Sequence, residues 1–227
     1  MIIDCVSDLH GHLPNLEGGD LLIVAGDLTA GDKLIQYHLF DQWLLGCQEI
    51  YQEIVVIGGN HDGLVEKNKC GISSWGCVYL CDSGCSISYY SSHRNSVPPD
   101  SKSVKIWGSP WTKTFPGIDP NCCAFMLDHE ADLKQKWAMI PDDTDILITH
   151  LPPWGIRDCV IDFMNGRVEN VGSTTLLERV NQIKPKLHVF GHIHEGYGEF
   201  KAETHFVNAS IMNERYKPVN KPIRVIL

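Results

Sequence analysis

Five short polar clusters carry residue types able to hold metal ions and use them: Asp8-Leu9-His10, Gly26-Asp27, Gly59-Asn60-His61-Asp62, Thr149-His150 and Gly191-His192-Ile193-His194. Carboxylate and amide oxygens mixed with imidazoles suit divalent ions of the Mn, Fe, Zn or Mg range, and no all-thiolate site is implied. A single Asp-x-His or Gly-Asp says little, because Asp, Asn and Gly are common turn and capping residues at strand ends. Five histidines at such ends serve no turn chemistry, so the clusters together read as a metal centre.

Each cluster follows an apolar run of strand type: Ile2 to Val6, Leu21 to Ala25, Ile54 to Ile57, Ile146 to Ile148 and Leu187 to Phe190. Runs apolar at every position are those of strands buried on both faces, as in a parallel or mixed sheet. In open α/β sheets, ligands bind beyond the carboxyl ends of the strands, which is where the clusters lie. Between them, Leu34, Ile35, His38, Leu39, Trp43 and Leu45 recur near helical spacing over 32–48, predicting a helix that packs these residues on the sheet. Further helices are expected over 128–137 and, opened by a capping Ser or Thr, over 173–182. Residues 77–107 hold short strand-like runs around Gly and Ser turns and suggest a second sheet, with a mobile loop over Ser91–Ser103. The fold class is therefore α/β.

At 227 residues and 43% hydrophobic content, the chain can bury a full core and reads as one domain, 1–227. A net charge of −9 and a pI near 5.6 argue against a stable nucleic-acid complex, which needs a basic face, though a small anionic substrate remains compatible with a metal-lined cleft. No apolar run reaches the roughly 18 to 20 residues that span a bilayer. The N-terminus carries no signal-peptide pattern, and a cytoplasmic location is expected. The nine cysteines, with Cys70, Cys77, Cys81 and Cys85 grouped, have no C-x-x-C spacing and read as reduced thiols in preference to a zinc site.

The order Asp-x-His, Gly-Asp, Gly-Asn-His-Asp, Thr-His, Gly-His-x-His resembles the calcineurin-like metallophosphoesterases over the whole chain. That resemblance implies a four-layer αββα sandwich of two mixed sheets flanked by helices. It also implies two divalent metal ions, Mn²⁺ first, with Fe²⁺, Zn²⁺, Ni²⁺ or Mg²⁺ as alternatives. Asp8, His10 and His194 would bind one ion, Asn60, His150 and His192 the other, and Asp27 both, around a bridging hydroxide that attacks phosphorus. Gly26, Gly58, Gly59 and Gly191 would let the backbone turn tightly beside the metals. His61 resembles the family's unligated imidazole, which stabilises the phosphoryl oxygen or protonates the leaving oxygen, with Asp62 expected to orient it.

Asp27 is followed by Leu28-Thr29-Ala30-Gly31, without the arginine of protein phosphatases of this fold or the tyrosine of purple acid phosphatases. Thr149-His150-Leu151-Pro152-Pro153, the stretch from Lys184 to Gly198, and Val207-Asn208-Ala209-Ser210 resemble the metallophosphoesterase-domain-containing family of small class III phosphodiesterases, as does Gly108-Ser109-Pro110-Trp111. Some of its members carry glycine where this chain has His192. The resemblance implies hydrolysis of 2′,3′- or 3′,5′-cyclic nucleotides, with a nuclease on short nucleic acids or a non-catalytic scaffold as alternatives. Asn60, His61, His12 at the rim and Trp154 on its Pro-bracketed loop are the expected substrate contacts, and Trp111 is a second stacking candidate.

Overall fold

The computed structural model describes residues 1–89, 102–115, 122–162 and 166–227. A five-stranded sheet runs in the order β15 (Ile223–Ile226), β1 (Ile2–Val6), β2 (Gly19–Ala25), β3 (Tyr51–Ile57), β4 (Val78–Tyr79). It is parallel except at β15. A six-stranded sheet runs β13 (Gly198–Lys201), β14 (His205–Asn208), β12 (Leu187–Phe190), β9 (Ile146–Thr149), β6 (Lys102–Ser109), β5 (Ser83–Tyr89). Its central pairs are parallel, and its two edge strands are antiparallel to their neighbours.

Side-chain alternation turns these sheets into layers. Ile3, Leu21, Ile23, Val55 and Ile57 face Ile87, Ile106, Ile146, Ile148 and Val189, so the two sheets pack face to face. The opposite face of the first sheet, through Leu22, Val24, Ile54 and Val56, meets Tyr37, Phe40 and Leu44 of α1 (Leu34–Gln48). The opposite face of the second, through Leu147, Phe190 and Phe206, meets Leu133 and Trp137 of α3 (Glu130–Trp137) and Leu176 and Val180 of α4 (Thr174–Ile183). Four layers, α–β–β–α, result. A short α2 (Gly63–Glu66) follows Asp62, and β7 (Thr112–Lys113) with β8 (Met126–Leu127) and the hairpin of β10 (Cys159–Asp162) and β11 (Arg167–Asn170) form two small sheets.

Three expectations need correction. The five apolar runs do not share a sheet: the first three lie in one and the last two in the other, and of the segments expected to form a second sheet, Val78–Tyr79 joins the first while β5 and β6 join the second. Helix α1 is present but turned. Its buried face is Tyr37, Phe40, Leu44 and Cys47, while Leu34, Ile35, Leu39 and Leu45 are exposed. The aliphatic residues misled because the packing surface is aromatic, with Tyr37 and Phe40 against Trp75 and the Tyr37 hydroxyl donating to Asp32 at 2.6 Å. Of the expected mobile loop, Ser103 already belongs to β6, and 91–101 lie outside the described residues. The other two helices form where expected, with Ser173 capping α4 by accepting from the Leu176 amide at 3.0 Å.

Candidate metal centre and its cavity

The carboxyl ends of β1, β2 and β3 in one sheet and of β9 and β12 in the other point to the same place, and the five polar clusters meet there. The backbone bends sharply to bring the side chains inward. Asp8, His10, Asp27 and His192 have φ of 53°, 43°, 53° and 67°, in the left-handed region that non-glycine residues seldom adopt. At Gly59 a Cβ would overlap the Asp27 carboxylate and at Gly191 the Asp8 carboxylate, so neither position has room for a side chain.

All seven expected donors converge. On one side, His194 Nε2 lies 3.5 Å from Asp8 Oδ1 and 3.3 Å from His10 Nε2. On the other, Asn60 Oδ1 lies 3.2 Å from His150 Nε2 and 2.9 Å from His192 Nδ1. Asp27 stands between them, with Oδ2 3.6 Å from His10 Nε2 and Oδ1 3.3 Å from His150 Nε2. Three groups, Asp8-His10-His194, Asp8-Asp27-His150 and His10-Asp27-His61, have their donor atoms close enough to share an ion.

Hydrogen bonds behind these side chains set which atom faces inward. His150 Nδ1 donates to the Ala25 carbonyl at 2.9 Å and His194 Nδ1 to the Asn213 carbonyl at 3.0 Å, leaving both Nε2 atoms toward the centre. The Asn60 amide donates to the Cys122 carbonyl at 3.2 Å, which turns Oδ1 inward. Lone pairs thus face carboxylate and amide oxygens, an arrangement that is repulsive until cations or protons come between them. The donor set fits divalent metals on that ground.

Electrostatics point the same way. Burial, reinforced at His192 by His150, pushes His10 down to about 4 and His192 to about 3, so both are neutral imidazoles ready to ligate. Burial opposes charge on His150 too, but the Asp27 carboxylate outweighs it and lifts His150 to about 9, so a proton on Nε2 takes the place that a cation would hold. Asp8, which burial would raise, is held near 2 by its hydrogen bond to His194.

The His61 ring has Nδ1 3.0 Å from the Ala30 carbonyl and 3.3 Å from Cys122 Sγ. A carbonyl only accepts, so Nδ1 carries the hydrogen and Nε2 is left for the cavity that His61 lines. The expected pairing with Asp62 is not formed. That carboxylate accepts from the amides of Gly59, Leu28 and Thr29 at 2.9, 3.0 and 3.2 Å, tying the Asp27 loop to the Asn60 loop. Burial and the nearby Asp27 raise it to about 8.

The centre forms the floor of a cavity of about 810 Å³. Leu151, Val160, Val171 and Ile193 give it an apolar wall, and Lys113, held 3.2 Å from Glu130, is the one lysine or arginine among the described residues lining it. His12 and Trp154 are exposed and do not line it. Trp111 is a packing residue, donating to Asp82 at 2.8 Å beneath the Lys136 ammonium. Asn208 braces the His192–His194 loop by donating to the Ile193 carbonyl at 2.8 Å. The cysteines form no disulfide, and none joins a candidate metal group among the described residues. The sequence reading missed Phe115 and Tyr216, which line the cavity from segments without motifs; only Asn213, a turn residue three positions before Tyr216, hinted at the bend there.

Comparison with known proteins decides the family: the calcineurin-like phosphoesterase model matches residues 1–196. The chain is a calcineurin-like metallophosphoesterase. The human and mouse proteins named metallophosphoesterase domain-containing protein 1 are each 33% identical over 252 aligned positions, covering 98% of this chain and 70% of the relative. Among solved structures, the phosphopantetheinyl hydrolase of Mycobacterium tuberculosis superposes with a TM-score of 0.56 at 15% identity, over 94% of this chain and 90% of its own. A putative 5′-nucleotidase from Staphylococcus aureus does so at 0.50 and 13% identity, over 91% of this chain and 48% of its own. Likeness at that identity speaks for the fold. This metallophosphoesterase thus belongs to a family of phosphoester hydrolases that work with divalent metal ions, and none of its described helices is long and apolar enough to cross a membrane.

Proposed function

We propose that this metallophosphoesterase is a dinuclear phosphodiesterase acting on small nucleotides, with 2′,3′- and 3′,5′-cyclic nucleotides first among its substrates. The observation that carries the reading is Asp27, whose two carboxylate oxygens face two separate sets of donors, His10 on one side and His150 on the other. Asp8, His10 and His194 would hold one ion and Asn60, His150 and His192 the second, with Asp27 shared. The chemistry such ions supply is polarisation of phosphoryl oxygens and activation of a water for attack on phosphorus. His61, with Nδ1 committed to Ala30, offers Nε2 to the phosphoryl or leaving oxygen.

The cavity supports a diester. A phosphodiester carries one negative charge and two esterified groups; the apolar wall suits an uncharged substituent, and the single paired lysine suits little charge beyond what the centre takes up. Nine cysteines without a disulfide suit a reducing compartment, and we place the protein in the cytoplasm. The test is turnover of bis-p-nitrophenyl phosphate and a panel of cyclic nucleotides with Mn²⁺. We expect hydrolysis of both. No turnover with Mn²⁺, Fe²⁺, Ni²⁺, Zn²⁺ or Mg²⁺ overturns the reading in favour of a scaffold, and preference for oligonucleotides turns it into a nuclease.

A further inference from the structure

Tyr216 belongs to no motif, lies beyond the residues matched by the family model, and joins none of the three buried apolar clusters. It nonetheless stands beside the centre. Its ring lies edge-to-face with those of His10 and His194, with centroids 4.9 Å away in each case, and 6.3 Å from that of His61. The side chain lines the cavity, and the residue is 57% exposed. Its hydroxyl forms no hydrogen bond among the described residues.

The backbone at Tyr216 is left-handed, with φ 54°, a conformation that a tyrosine takes only when its surroundings impose it. Asn213 imposes it. Its Oδ1 accepts from the amides of Arg215 and Lys217, both at 3.0 Å, and its carbonyl accepts from the Tyr216 amide at 2.9 Å. The same carbonyl receives His194 Nδ1. One turn therefore orients a donor of the centre and aims an exposed aromatic ring beside it. Core packing does not require that ring.

From this the geometry points to Tyr216 as the residue that selects the substrate: its ring carries an uncharged heteroaromatic group, the base of a nucleotide with a single phosphodiester, on the His10–His61–His194 side of the centre. The inference rests on the nucleotide reading above and narrows it. Base–aromatic stacking tolerates any base, so it selects for the presence of a base and not for its identity. Glu195 and Glu214 also line the cavity, and their charge disfavours a second phosphate there.

The experiment compares adenosine 2′,3′-cyclic phosphate with the base-free methyl riboside 2′,3′-cyclic phosphate on the full Mn²⁺-loaded chain. Tyr216→Asn removes the ring while keeping a residue that tolerates left-handed backbone; Tyr216→Phe keeps the ring and removes the hydroxyl. In Tyr216→Asn the ratio of kcat/KM for the base-bearing over the base-free substrate should fall roughly tenfold, through KM. In Tyr216→Phe the ratio should stay at the wild-type value. An equal fall in the Phe variant assigns the effect to the hydroxyl and overturns the inference. So does equal slowing of both substrates, or a collapse of the ratio in Phe115→Leu instead. Metal content and melting temperature of each variant exclude an indirect effect, and Tyr216→Leu replaces the Asn variant if that fails to fold. Should the wild type hydrolyse neither substrate, the phosphodiesterase reading has failed, and calorimetric titration with AMP and ribose 5-phosphate tests Tyr216 alone. A preference for AMP that disappears in Tyr216→Asn upholds its role, and equal wild-type affinity for the two ligands overturns it.

Discussion

At and beneath the floor of the cavity, Asp8, Asp27 and His150 are buried, and backbone hydrogen bonds decide which atom of His150 and His194 faces inward. At the rim, Phe115 and Tyr216 stand about half exposed and come from segments that contribute nothing to the main sheets. The difference separates two tasks. Donors that must meet at a fixed point grow from strand ends, where a packed core holds them; groups that meet a variable part of a substrate sit on turns, where residues change without disturbing the core.

Breaking the floor should have the largest effect. Asp27→Ala removes the carboxylate that faces both donor sets, and should release both metals and lower turnover by more than about a hundredfold. Metal analysis with steady-state rates checks this, and near-normal activity would sink the assignment. His61→Asn should retain both metals yet lose about 10² to 10⁴ in rate. The loss should be greater for a cyclic nucleotide, whose alkoxide needs a proton, than for a p-nitrophenyl ester, whose leaving group does not. Equal losses would leave His61 acting on the phosphoryl oxygens alone.

Smaller effects sharpen the contrast. Asp62→Ala strips an acceptor from three buried amides, so a loss of roughly 2 to 4 kcal/mol in stability is expected. If Asp62 acts only by holding loops together, Asp62→Asn should leave the pH–rate profile in place; a displaced profile would return it to proton transfer. The smallest effect concerns His188, buried in β12 beside Phe190 and Phe206 with Nε2 2.9 Å from Thr149 Oγ1 and pushed by burial down to about 3. Its ordinary value is near 6.5, so between about 3 and 6.5 only the unfolded chain binds the proton, and the stabilisation present above pH 6.5 drains away as pH falls. The melting-temperature gap between wild type and His188→Gln, measured in chelator, should narrow from pH 7 to pH 4.

The floor was legible because its chemistry demands residue types that turns do not: a histidine directly after an apolar run is of little use to a bend and of much use to a metal ion. Which sheet each run joined was not, since a strand buried on both faces shows no alternation to mark its neighbours. The α1 face was misread because aliphatic side chains were weighted above Tyr37 and Phe40, although an aromatic ring buries more area. Asp62 was given to His61 on adjacency in sequence, whereas the bend after Asn60 sends its carboxylate toward the amides of Leu28 and Thr29. Tyr216 carried no signal of its own; its placement comes from a turn made by Asn213, whose residue type marks a bend but not what the bend presents.

The donors of the floor come from the ends of both sheets: Asp8, His10, Asp27 and Asn60 from the first, His150, His192 and His194 from the second. Ions held there would clasp the two halves of the sandwich from outside the apolar interface, and free metal would become a thermodynamic variable of folding. With metal well above its dissociation constant, each tenfold rise adds about 1.4 kcal/mol per ion to the stability of the sandwich. Chelation should then lower the melting temperature of the whole protein, and by less in Asp27→Ala, whose clasp is already open.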